Sequence, residues 1–353
     1  MHYTIKTLAT LTLLAVPAVA QTSSLPGSGT TAGTGLGNAG FKRTFAEMIA
    51  ASTTTYEAAG GTTMSQTRRD EISDTLLTLT GSTLSPGAPQ ADGQLFFHDS
   101  LDPSAMLHFD TATSTVMFSK GVGQISGLND TPNLPSEAVA PGKALDLVGQ
   151  VDFLPGIAAE MVVEDVGGMG MGVESPDGTQ MNFEKIRTVR FGRKIDGKRV
   201  MGPGSRIIVQ LGEDAALQGI IRRWHEFNPT LITAAEKNTP AELNQMLFQR
   251  LRQSTTQASN VEFESSTLVL YDDGRGIMEP VIRCVFNLTI ESEYMSATGQ
   301  MIPKTIENPL DFYIPILRQP RASLPFIKDL QASAQATPAD ADEPPTSDGG
   351  TDE

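Results

Sequence analysis

Residues 185–224, KIRTVRFGRKIDGKRVMGPGSRIIVQLGEDAALQGIIRRW, decide the fold that the sequence predicts. Apolar residues alternate with polar ones over residues 189–195 and again over residues 207–211, which is the period of a β-strand. Asp196-Gly197 favours a tight hairpin because both residue types tolerate a positive φ. We therefore predict three successive antiparallel strands, with one sheet face that a helix must cover.

Two helices are predicted beside strands of this kind. An apolar run that includes Val148 predicts the first helix, which begins after an N-cap at Ser136 or at Pro141 itself. Thr239, Pro240 and Glu242 form a capping box that predicts the second helix, to about residue 253. Each helix precedes three strand patterns. We predict an α+β fold of two tandem modules, each a curved antiparallel β-sheet packed on one helix.

The rest of the chain divides by composition. An apolar run follows Lys6 and ends in Ala18-Val19-Ala20, the pattern of a signal peptide cleaved after Ala20, so we predict a secreted or periplasmic protein. No later run is long enough to span a membrane. The predicted divisions are a signal peptide (1–20), a flexible Gly/Ser/Thr-rich leader (21–40), a helical N-terminal segment (41–92), a first module (93–227), a second module (228–330) and a disordered acidic tail (331–353).

Charge and motifs exclude several classes of function. The net charge of −15 argues against a nucleic-acid partner. The sequence has no Gly-x-Gly-x-x-Gly motif between a predicted strand and a helix, no nucleophile elbow and no HExxH motif. The glycine- and methionine-rich residues 167–172 lack the lysine of a phosphate loop and are interpreted as a bulge or loose turn. Cys284, the single cysteine, lies in an apolar strand and is predicted to be a buried structural thiol. We predict no cofactor.

The central strands form a basic island in this acidic chain. Residues 185–223 hold ten Lys and Arg residues but only three Asp and Glu residues. Such charges protect solvated strands in many sheets. They also suit an acidic partner or the chain's own acidic tail.

The same strands carry a resemblance to a known family. The helix after Leu134-Pro135, the turn from Asp196 through Gly202-Pro203-Gly204 and the strand that ends in Arg222-Arg223-Trp224 resemble PepSY/FTP modules, which occur in propeptides of secreted peptidases and in exported proteins. The resemblance covers about residues 93–227 and, more weakly, 239–317. It implies a non-catalytic role in binding, inhibiting or chaperoning an exported partner such as a peptidase.

We therefore predict an exported, non-enzymatic binding protein that engages a protein partner through an exposed sheet face or edge, with strand addition as one route. Trp and Arg dominate binding hot spots. The predicted partner-binding residues are Arg187, Arg190, Arg193, Arg206, Arg222, Arg223 and Trp224. The alternative for Trp224 is a half-buried residue that covers the helix.

Two other functions remain open from the sequence. His98 and His108 lie on neighbouring predicted strands and could hold a metal across a hairpin, as in a metal-dependent hydrolase. A structural component of the cell envelope or surface, without a discrete site, is the other alternative.

Overall fold

The computed structural model describes residues 44–59, 64–87, 94–99, 102, 104–121, 131–174, 180–254, 258–295 and 301–325. The predicted signal peptide (1–20), leader (21–40) and acidic tail (331–353) lie outside the described residues.

The described residues form four α-helices and fourteen strands. The helices are α1 (Phe45–Ala50), α2 (Gln66–Thr80), α3 (Ala140–Gln150) and α4 (Pro240–Ser254). The strands are β1 (Thr54–Ala58), β2 (Ser85–Pro86), β3 (Gln94–His98), β4 (Met106–Asp110), β5 (Thr115–Ser119), β6 (Met161–Glu174), β7 (Gln180–Ile195), β8 (Lys198–Met201), β9 (Arg206–Leu211), β10 (Leu217–Arg223), β11 (Phe227–Leu231), β12 (Asn260–Asp272), β13 (Ile277–Met295) and β14 (Met301–Pro315).

The strands belong to one large mixed sheet, so the prediction of two modules, each a sheet packed on one helix, is wrong. The main strand order is β11-β1-β13-β12-β8-β7-β9-β10-β5-β4-β3-β2, with β14 beside β13 and β6 beside β7. Strand β8 joins the two halves of the chain into this single sheet. It pairs with β7 in the predicted hairpin and runs parallel to β12, so hydrogen-bonded pairing continues from one half of the chain into the other.

Several local predictions are confirmed. Asp196 and Gly197 both have positive φ and connect β7 to β8. Helix α4 begins with the predicted capping box, in which the Thr239 amide donates to a Glu242 carboxylate oxygen at 2.6 Å and the Glu242 amide donates to Thr239 Oγ1 at 3.3 Å.

The structure differs at the start of helix α3. Helix α3 begins at Ala140, with Val139 as its N-cap instead of Ser136. Residues 167–172 continue β6, with a register shift between Met169 and Gly170.

The predicted helical N-terminal segment (41–92) also contains strands. It contains α1 and α2, but β1 lies between them and pairs with β11 and β13. Its helices divide between the two halves of the sheet: α1 packs with α4, and α2 packs beside β10.

Helices cover one face of the sheet in each half. In the half built from β3–β7, β9 and β10, Leu76 of α2 and Val148 of α3 pack against Val189 and Val209, all fully buried. In the other half, Leu247 of α4 belongs to a second buried cluster on β13 and β14. This burial is the main stabilising contribution to the fold.

Within the described part of the chain, no helix is both long and apolar enough to cross a membrane.

The two halves meet at the buried carboxylate of Asp272, the last residue of β12. Its Oδ2 accepts the Ser205 hydroxyl at 2.6 Å, its Oδ1 accepts the Gly274 amide at 2.8 Å, and its backbone carbonyl accepts the Gly204 amide at 3.3 Å. Gly202 lies against the same carbonyl with a φ of 98°. The loop between β8 and β9 therefore encloses Asp272.

We predict that Gly202→Ala lowers the free energy of unfolding by about 3 kcal/mol. A positive φ costs alanine roughly 1 kcal/mol, and overlap of its Cβ with the Asp272 carbonyl adds about 2 kcal/mol. Gly197→Ala is the matched control, because Gly197 also has a positive φ but no heavy atom within 4 Å of an added Cβ. Urea denaturation measures both variants, and equal losses would contradict the enclosure of Asp272.

Candidate functional site

The predicted partner-binding residues lie on opposite faces of the sheet. Side chains alternate along a strand, and the buried Val189, Ile207 and Ile220 mark the face that the helices cover. The residues on the covered side are Arg187, Arg193, Arg222 and Trp224. The residues on the opposite side, called here the open face, are Arg190, Arg206 and Arg223.

Trp224 and Arg193 are core residues. Each is 2% exposed, and the Arg193 guanidinium lies 4.9 Å from the Trp224 ring centroid. Arg193 Nε donates to Glu160 at 2.6 Å, and NH1 donates to the His225 carbonyl at 2.7 Å. Neither side chain is available to a partner in this conformation, and the burial of Trp224 agrees with the alternative interpretation of it as a residue that covers a helix.

Strands β7, β9 and β10 offer no free edge for the addition of a partner strand in this structure. Strands β7, β9 and β10 each pair on both sides: β7 with β6 and β9, β9 with β7 and β10, and β10 with β9 and β5. Their backbone groups are therefore already paired, and a partner strand has no edge to join there.

Arg187 holds the covered side to the loop before α3. Its guanidinium forms ion pairs with Glu184 at 2.9 Å and Glu137 at 3.4 Å, and its Nε donates to the Pro135 carbonyl at 3.2 Å. These contacts give Arg187 a structural role.

A cavity of about 210 Å³ lies on the covered side, beneath α2. Arg68 and Ile72 of α2, Phe153 after α3, and Arg222 at the end of β10 line it, together with Trp224 and His225. It is smaller than the roughly 300–1,000 Å³ of pockets for drug-sized ligands. A small metabolite or water would fill it.

Arg222 brings a cation into this cavity without an ion pair to any described residue. Its Nε and NH1 donate to the carbonyls of Phe153 and Trp224 at 3.4 and 3.1 Å, which fixes the guanidinium. Burial lowers the Arg222 pKa to about 10, and the nearby Glu226 carboxylate acts against this shift. The guanidinium stays charged near neutral pH but lacks the solvation that water would give it.

Trp224 and His225 of the cavity wall also carry buried nitrogens without a protein partner in the described residues. They are the indole Nε1 of Trp224 and both ring nitrogens of His225. Burial lowers the His225 pKa, and the nearby Asp272 carboxylate acts against this shift. These nitrogens have almost no accessible surface, so they do not face the open space of the cavity.

The open face carries a continuous row of side chains across strands β7, β9, β10, β5, β4 and β3. In the strand register, each member of the row lies opposite the next member on the neighbouring strand, and all are partly exposed. The row is Arg190, Ile208, Ile221, Met117, His108 and Phe96. Solvated sheet faces normally carry polar residues, so adjacent Ile and Met side chains here are unusual.

Arginines border this row. Arg206 lies opposite Arg223 on the neighbouring strands. Arg223 donates to Thr115 Oγ1 at 3.0 Å and to the Pro203 carbonyl at 3.3 Å. Among the described residues, no carboxylate forms an ion pair with Arg190, Arg206 or Arg223. Asp165 of β6 lies opposite Arg190 in the strand register, without an ion pair. The open face is therefore apolar at its centre, with Arg206 and Arg223 at one side.

The structure gives no support to a metal site at His98 and His108. The Phe96 ring stacks against both imidazoles, with centroid distances of 5.8 Å to His98 and 4.2 Å to His108. No group of three or more His, Cys, Asp or Glu side chains suitable for a metal occurs in the described ranges.

Cys284 is fully buried, as predicted for a structural thiol. Burial raises its pKa to about 12, so the reactive thiolate is disfavoured.

Sequence reasoning missed Asp272 and the cavity. The sequence around Asp272 predicts only a turn that ends at Gly276, and no local signal links Asp272 to Ser205. The cavity is formed by residues from separate elements, including Arg68 and Phe153, whose proximity only the tertiary fold establishes.

Comparisons with known proteins leave the function open. No family model matches the chain, and no curated protein matches it. Among solved structures, the chain is similar to an uncharacterized protein from Eubacterium rectale ATCC 33656, with 7% sequence identity and a TM-score of 0.42, over 76% of this chain and 86% of that chain. That likeness is too low to support an argument about function, and the resemblance to PepSY/FTP modules stays a prediction.

We predict that Arg193→Ala lowers the free energy of unfolding by about 3–5 kcal/mol, because it removes a guanidinium that is only 2% exposed, together with its stacking on Trp224, its bond to the His225 carbonyl and its pair with Glu160. Arg199→Ala is the matched control. Arg199 also pairs with a glutamate, Glu164, but its side chain is 56% exposed, so the loss should stay below about 1 kcal/mol. Chemical denaturation measures both, and similar small losses would contradict a structural role for Arg193.

We predict that Asp272→Asn removes one loss of stability that accompanies rising pH in the natural protein. Burial raises the Asp272 pKa, although the hydrogen bonds from Ser205 and Gly274 act against the shift. The folded pKa then exceeds the unfolded value of about 3.9, so the folded state binds more protons between the two values. Stability is therefore lost as pH rises through this window, and the Asp272→Asn variant would not show that loss.

Urea denaturation at pH values from about 4 to 8 tests this sign. The unfolding free energy of the variant, relative to that of the natural protein, should rise with pH. Far-UV circular dichroism checks that the variant keeps its strand content. Parallel pH profiles for the two proteins would show that Asp272 does not titrate with a raised pKa.

Proposed function

We propose that the protein is an exported, non-enzymatic binding protein, and that it engages a protein partner through the open face of its sheet. The observation that carries this proposal is the cross-strand row from Arg190 through Ile208, Ile221 and Met117 to Phe96. An apolar patch bordered by polar residues on a protein surface is typical of an interaction site.

The charge of the open face favours one kind of partner. Arg190, Arg206 and Arg223 lack carboxylate partners in the described residues, so a partner that presents carboxylates beside apolar side chains fits both parts of the face. An exported peptidase is one protein of the class that the PepSY-like resemblance implies. In the complex, the apolar row buries surface area against the partner, and the arginines orient the partner on the sheet.

The test is a pull-down of the tagged mature protein with a photoreactive residue in place of Met117, followed by identification of the crosslinked protein. Arg190→Glu should weaken capture about tenfold, because it replaces attraction for carboxylates by repulsion. Arg252→Glu is the matched control, since Arg252 lies exposed on α4, away from the open face.

A photoreactive residue at the exposed Phe248 of α4 supplies a second control. One exported protein crosslinked from position 117 but not from position 248, with capture lost in Arg190→Glu, supports the proposal. Equal capture by the Arg190→Glu and Arg252→Glu variants contradicts it. Crosslinks from position 117 only to the chain's own acidic tail would also contradict it, because the tail would then be the occupant.

A further inference from the structure

We propose that the cavity beneath α2 is a binding site for a small organic carboxylate. This site is distinct from the proposed partner surface, because the sheet separates the covered side from the open face. Failure of either proposal therefore leaves the other intact.

The cation of Arg222 is the first support for this site. Two backbone carbonyls orient its guanidinium, and no described carboxylate pairs with it by direct contact. Its planar fork matches the two oxygens of a carboxylate, and charge-assisted pairs of this kind are among the stronger hydrogen bonds in proteins. A carboxylate would return the solvation that burial removes from Arg222.

The open position of the guanidinium is the second support. Arg222 Nε and NH1 are bonded to carbonyls, while NH2 has no bond to any described residue. A carboxylate oxygen in the cavity would accept a hydrogen bond from this nitrogen, whereas a purely apolar ligand would not.

The other charged groups of the wall do not pair directly with Arg222. Arg68 also lines the wall, and its guanidinium is already paired with Asp152 at 2.8 Å and Glu71 at 3.3 Å. Glu226 lines the wall as well, and its charge acts on Arg222, but its Oε1 accepts the Gly156 amide at 3.0 Å. Arg222 is therefore a cation of the wall without a direct carboxylate contact among the described residues.

The apolar residues of the wall and the volume of the cavity determine the size and polarity of the rest of the ligand. Ile72 and Phe153 are buried and apolar, and they face a volume of only about 210 Å³. A short aliphatic carboxylate combines the required charge with an apolar part of the right size.

Trp224 is the single tryptophan of the chain, so its fluorescence reports on this cavity directly. We expect butyrate to change the fluorescence of the full mature protein saturably, with a dissociation constant on the order of 1 mM, as suits so small a ligand. Butyramide has nearly the same shape without the charge, and it should bind at least tenfold more weakly. Equal effects of butyrate and butyramide, or no saturable effect of butyrate, would overturn the proposal.

Two variants locate the binding. Arg222→Gln should weaken butyrate binding at least tenfold, whereas Arg252→Gln on α4 should leave it unchanged. Circular dichroism and the melting temperature establish that each variant is folded. If Arg222→Gln does not fold, the comparison of butyrate with butyramide in the natural protein still decides the question.

Phosphate and sulfate are titrated in the same way. Saturation by these ions but not by butyrate would identify a tetrahedral oxyanion site and overturn the carboxylate assignment. A crystal structure from butyrate-containing solution that shows only water in the cavity would overturn it as well.

Discussion

The buried carboxylate of Asp272 is the contact on which the joined sheet depends. It accepts hydrogen bonds from Ser205 and Gly274, and its main-chain carbonyl accepts one from Gly204, so a loop of one half of the sheet is bonded to a strand end of the other. A carboxylate buried this deeply is costly unless its oxygens are satisfied. The glycines at 202 and 204 allow the loop to approach closely enough to satisfy them. Strand β8, which immediately precedes this loop, then pairs with β12 and makes the sheet continuous.

The alternation of side chains gives the central strands two separate roles. Residues of one parity, such as Arg193 and Arg222, face the helices and form buried contacts or the cavity wall. Residues of the other parity, such as Arg190 and Arg223, face outward and border the apolar row. The basic residues of these strands thus divide into a set that lies on the covered side and a set that lies on the open face. The two proposed binding sites therefore lie on opposite sides of the same strands.

Burial explains why arginine is suited to the covered side. Arg193 is bonded to Glu160 and to a backbone carbonyl, and it stacks on Trp224, so nearly all of its charge is compensated within the protein. Arg222 is held by two carbonyls and lies 5.7 Å from the Phe153 ring centroid, and it has no such carboxylate partner among the described residues. The first arrangement stabilises the fold, while the second is the basis of the proposed ligand site.

The sequence by itself determined the local elements: the hairpin at Asp196-Gly197, the capped start of α4, the buried Cys284 and the meander over residues 185–224. These depend on alternation, turn residues and capping, which act between residues close in the chain. Only the tertiary structure decided that β8 joins β12, that Trp224 is enclosed, and that Arg222, Trp224 and His225 share a cavity. Such contacts join residues far apart in sequence, and a strand pattern shows which residues share a face but not which face is covered.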